Sequence, residues 1–170
     1  MTRNWRHLPA AARPIAAATD AAVAAARDRD GPALAEASGD LAVLDPAQVG
    51  LILGTAVRLL LEDTHTDGLD GDDIRAVLEG CVRDAAPWLP DVDPHVLLIL
   101  LAGALGVHDD SGDPPPKPEA LARHAPLLLA YLLYGASSPG SVPVEGLVDE
   151  RMAGYLTKAL HEIERTQLND

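Results

Sequence analysis

Two stretches of twelve residues, Val96 to Val107 and Ala125 to Ala136, carry no charged side chain. A helix that is apolar on every side cannot lie on a wet surface; other helices, a second subunit or lipid must enclose it. Lipid fits poorly, because a bilayer span takes about 20 apolar residues and Pro126 interrupts the second stretch. Both stretches are therefore expected as central helices of a bundle.

The residue types that fill the core point the same way. The chain has no Phe, and its aromatic residues are Trp5, Trp88, Tyr131, Tyr134 and Tyr155. A core of Leu, Ala, Val and Ile suits close helix packing better than a β-sandwich, where aromatic and β-branched side chains dominate. The expected fold is all-α: a single-domain bundle of about six to seven helices in 170 residues, with two strongly apolar central helices. Residues 1–8 are expected to form a flexible N-terminal arm, with Trp5 as its one large apolar group.

Helix starts are marked twice by an acid followed by proline, Asp45-Pro46 and Asp93-Pro94. The acid can cap the first free amides, and proline lacks the amide that a first turn leaves unbonded. The helix from Asp45 to Asp63 carries Val49, Ile52, Leu53, Ala56, Val57, Leu60 and Leu61 at core-facing spacing. An Ala-rich helix is expected over Pro9–Asp28, a short one over Pro32–Ala37, and others over Asp72–Ala86, Asp93–His108, Glu119–Gly135 and Val144–Gln167.

The formal charge is −13, from 26 acidic and 13 basic residues. Nucleic-acid and anionic-membrane binding both need phosphates to be neutralised, so neither is expected. Solubility and mutual repulsion account for the acidity; a basic protein partner or a cation is the sharper reading. Arg3, Arg6 and Arg13 are the one local concentration of bases. Eleven Arg against two Lys is the skew of a GC-rich bacterial genome and says nothing of function. Cys81 is alone, so no internal disulfide can form. With Ile74, Val77, Leu78, Val82 and Ala85 it makes one helical stripe, which places it in the core. No secretory leader is read, and the chain is expected in the cytoplasm.

Candidate chemistry gathers at one pole if the helices alternate in direction. The loop after the third helix carries Asp63, His65, Asp67 and Asp70, the loop after the fifth carries His108, Asp109, Asp110 and Asp113, and the last helix would add His161 and Glu164. Histidines among carboxylates suit a divalent transition metal; His65, His108 and Asp109 are the candidate ligands. The run Leu105, Gly106, Val107, His108, Asp109, Asp110, Ser111, Gly112 resembles the metal-binding pair of the HD-domain phosphohydrolases. That resemblance implies phosphate-ester hydrolysis, with His65 as the earlier histidine and Asp149 as the later acid. The run departs from the family in an extra residue before the glycine and in lacking the following lysine. The plainer reading is a solvated helix end.

The loop Asp63 to Ile74 follows a calcium loop in its first acids but ends on Ile74 where a bidentate Glu is required. His124 is read as a capping or partly buried histidine, and His95 as exposed. No phosphate-binding glycine loop, nucleophile elbow or His-Glu-x-x-His is present, and no cofactor is expected. The leading expectation is a non-enzymatic protein acting through self-association, as a homodimer, or through another protein. A small-molecule-binding helical domain and a metal-dependent hydrolase at the acidic pole are the alternatives.

Overall fold

The computed structural model describes residues 4–107, 112–135 and 145–168, with side chains in the last span from residue 150 onward. Among the described residues the chain is all helical: α1 Ala12–Arg27, α2 Gly31–Ala42, α3 Pro46–Thr64, α4 Gly71–Ala85, α5 Pro94–Ala104, α6 Pro118–Ala130 and α7 Glu145–Leu168. A single π-helical turn, Tyr131–Gly135, extends α6.

Side-chain caps set four of the helix starts. Asp30, Asp45 and Asp93 each accept hydrogen bonds from first-turn amides: Ala33 at 3.0 Å, Ala47 at 2.9 Å and His95 at 2.9 Å. Each is followed by a proline in the first turn. Asp70 and Asp73 cap α4 reciprocally, each carboxylate accepting from the other's amide, at 2.8 and 3.1 Å. Such pairing satisfies two amides that the helix start would otherwise leave open.

α5 stops four residues before the expected His108, and Gly106 is the reason. Gly106 adopts φ +73°, a left-handed conformation that side chains resist. Its amide bonds the carbonyl of Gly103 at 3.1 Å, and the next amide, of Val107, bonds that of Ala102 at 2.9 Å. This paired closure ends a helix firmly. α2 runs to Ala42, beyond the expected Ala37, because Ala37, Ser38 and Leu41 face the core and offset the poor helix propensity of Gly39.

The bundle is organised around α6, which packs against α1, α2, α3, α4 and α5. Every residue from His124 to Ala130 is buried, as the lack of charge requires. Pro126 removes one amide from the helix ladder. The turn that follows widens into the π geometry, and the Tyr131 ring lies against the backbone of Gly80 and Gly135.

α5 departs from the expectation of two enclosed central helices. Val96, Leu97, Leu101 and Ala104 are buried, but Leu98 is 44% exposed and Gly103 is also open. Apolarity all round shows that a helix avoids water. It does not show that the covering group belongs to the same chain, and here Leu98 and Gly103, on different faces of α5, are exposed among the described residues.

The Ala-rich α1 buries Ile15, Val23 and six small residues against α2 and α6. From Asn4 onward the N-terminal segment is packed: Trp5 and Leu8 are buried, a turn bonds the Leu8 amide to Trp5, and Arg13 holds the carbonyls of Leu8 and Arg6. α7 lies along α3, burying Met152, Leu156 and Ala159. Arg58 pairs with Glu162 and Asp63 with Tyr155, so the two helices run antiparallel. No described helix is long and apolar enough to cross a membrane.

Candidate functional site

The expected acidic pole is assembled only in part among the described residues. His65 closes α3, where its Nδ1 meets the Leu61 carbonyl at 3.1 Å and its Nε2 lies 4.0 Å from Asp73. Asp70 and Asp73 are engaged in the α4 cap, and Asp63 accepts a 2.7 Å hydrogen bond from the Tyr155 hydroxyl. These acids serve helix ends and helix pairing. His108 and Asp109, the other candidate metal ligands, lie outside the described residues, as does the Asp149 side chain. Among the described residues no three His, Cys, Asp or Glu side chains are grouped to hold a metal. His161 and Glu164 are not at this pole. The antiparallel register sets Tyr155 beside Asp63 and carries the end of α7 back past Arg58, so His161 faces the N-terminal segment instead.

Two other titratable groups are structural. Cys81 is buried, and burial pushes its thiol up to about 12, with the nearby Asp84 charge adding to the effect. A thiol held that firmly protonated is a poor nucleophile. His124 is 4% exposed. Its Nε2 accepts from the Asp93 amide at 2.9 Å, and its Nδ1 donates to the Ala120 carbonyl at 2.8 Å. Burial holds its pKa below the usual histidine value, against the opposing pull of the Ala120 carbonyl and the Asp93 charge. A neutral ring with one donor and one acceptor nitrogen fits this pair of partners. It ties the start of α5 to α6.

An apolar groove runs beside Ile99, Leu100 and Gly103 of α5. It encloses about 260 Å³ between α3, α5 and α6, with the α2–α3 connection closing one end. All seventeen residues lining it have apolar side chains or none. α3 contributes Val49, Leu53 and Val57 with Gly50 and Gly54 between them; α5 contributes Ile99, Leu100 and Gly103. A methyl group built on Gly50, Gly54 or Gly103 would meet nothing within 4 Å, so the missing side chains are what opens the space. Leu51 and Leu98 are exposed at 48% and 44% but lie off the groove; Leu51 lines a separate cleft with Arg58, Glu162 and Ile163 of the α3–α7 pair.

Of the charged residues that adjoin the lining in the chain, three are acids, Asp40, Asp45 and Glu119, and three are bases, Arg58, Lys117 and Arg123. Sequence reasoning missed this site because it arises where three helices converge. The signal for it was present in the glycines of the α3 apolar stripe, at i and i+4.

No protein-family model, curated protein or solved structure matches this chain. The groove's own chemistry therefore has to carry the functional reading.

Proposed function

We propose that this protein is a non-catalytic binding module whose α3–α5–α6 groove receives an amphipathic, basic helix from a partner protein. The observation that carries the reading is the lining itself: about 260 Å³ of concave space without a polar side chain. A small-molecule site normally sets a few polar groups among apolar ones, and these fix the ligand's orientation. A helix needs no such groups, because its backbone is already hydrogen-bonded and only its apolar side chains enter the groove. The net charge of −13 favours a cationic partner over a second copy, since complementary charge speeds and selects encounters.

Fluorescence anisotropy with a labelled Leu/Lys heptad peptide, helical and cationic, tests this against its Leu/Glu counterpart. The cationic peptide is expected to bind saturably, the acidic one not at all. Gly54→Leu, which fills the groove, should weaken binding at least tenfold. Equal binding by wild type and Gly54→Leu would refute the site. Sedimentation at micromolar concentration should show a monomer; a dimer abolished by Gly54→Leu would reassign the groove to a second copy of this chain. An apolar small molecule retained in native mass spectra and lost in Gly54→Leu would reassign it to a ligand pocket.

A further inference from the structure

We propose that a second site, the cleft between the N-terminal segment and α7, binds a phosphate-type oxoanion, either free or as the phosphomonoester of a small molecule. The cleft encloses about 540 Å³, and Arg6, His7, Arg13 and His161 all line it, together with Thr157 and Glu164. Two arginines and two histidines on one cleft are an exception in a chain with two acids for every Lys or Arg.

Five of the other arginines are paired with acids: Arg27, Arg29, Arg58, Arg75 and Arg123 each have a carboxylate partner. Among the described residues Arg6 and Arg13 make no ion pair. Arg13 instead donates to two backbone carbonyls, Nε to Leu8 at 2.9 Å and Nη2 to Arg6 at 3.2 Å. Those bonds fix the guanidinium while leaving its charge uncompensated by any acid. His7 is set against α7 by a 3.4 Å contact between its Nε2 and the Thr157 hydroxyl. Planar guanidinium groups with free donors match the oxygens of phosphate bidentately. Trp5 and Leu8, both buried, dock the segment that carries two of these bases. The backbone of the cleft is thus fixed by packing, while the Arg6, His7, Arg13 and His161 side chains are exposed on it. Glu164 is the one acid on its rim and opposes an anion.

Isothermal titration with inorganic phosphate and with glycerol phosphate, at constant ionic strength made up with chloride, tests the proposal on the full chain. Saturable binding of at least one is expected, with amide resonance changes confined to the segment around Arg6–Arg13 and to α7 near Thr157–Glu164. Tighter binding of the monoester identifies the phosphomonoester as the natural form; binding of inorganic phosphate alone identifies the free ion. Arg6→Gln and His161→Gln should each weaken binding at least threefold. Glu164→Gln, which leaves the Arg13 clamp intact, should tighten it by a similar factor. Absence of saturable binding to either probe, or binding that none of these three substitutions alters, would overturn the proposal.

Discussion

Two glycines on one helix offer a test in which stability and function move in opposite directions. Gly50 and Gly54 lie inside α3, where glycine costs about 0.5–1 kcal/mol relative to alanine through backbone entropy. Added methyl groups there would meet no atom within 4 Å, so nothing offsets the gain. The double variant Gly50→Ala, Gly54→Ala should be more stable by about 1–2 kcal/mol. In a chain of this size that raises Tm by roughly 3–6 °C. The same methyls occupy the groove, and a tenfold loss of affinity for the cationic peptide, about 1.4 kcal/mol, is expected. Gly80 supplies the contrast on α4. A Cβ there would sit 2.0 Å from the Tyr131 hydroxyl and 2.8 Å from the ring carbon that bears it, so the ring must move, and overpacking of this kind costs about 1–3 kcal/mol. Gly80→Ala should lower Tm in the native background and recover in a Tyr131→Leu background, where the obstructing ring is gone. Thermal and urea denaturation followed by circular dichroism, paired with peptide anisotropy, reads all of this. A double α3 variant that is less stable than wild type, or that binds the peptide unchanged, would refute the account of the groove as space left open by missing side chains.

Three further outcomes follow from single residues. The Thr19 hydroxyl is fully buried with no hydrogen-bond partner; Thr19→Val should therefore stabilise the fold by about 1 kcal/mol, seen as a higher urea midpoint at unchanged slope. The folded protein keeps His124 neutral, with a pKa below 6.5, while the unfolded chain takes up its proton near that value. Stability is accordingly full above about pH 6.5 and lost as pH falls from there toward the lower folded-state value. His124→Gln should flatten that part of a denaturation-against-pH profile, and an unaltered profile would show that another group governs it. Elemental analysis of purified protein should find no stoichiometric transition metal, and His65→Ala and His108→Ala should leave the peptide affinity unchanged; a metal lost in either variant would revive the hydrolase reading.

Helix starts were the most legible part of the sequence, because an aspartate cap with a following proline acts within one turn and needs no tertiary partner. Asp45-Pro46 and Asp93-Pro94 both open helices where the chain alone placed them. Helix ends were less so: the α5 stop depends on Gly106 adopting a left-handed conformation, and Ala102–Val107 reads equally well as a continued apolar run. The burial of Ala125–Ala130 at the end of α6 matches the charge-free stretch that begins there, whereas the same lack of charge in α5 left open who covers it. His124 could be read as a capping or partly buried histidine, but not as the link between α5 and α6, since Asp93 lies 31 residues away. The groove was hidden for the same reason: Gly50 and Gly103 meet across it only after the bundle has formed.

The exposed Leu98 of α5 also bears on how the protein behaves on its own. Any contact between the Leu98 flanks of two molecules is opposed by thirteen excess negative charges per chain. That repulsion extends about 10 Å at 0.1 M salt and only about 3 Å at 1 M. Concentrated salt should therefore favour association through this flank, and Leu98→Glu should counter it under the same conditions.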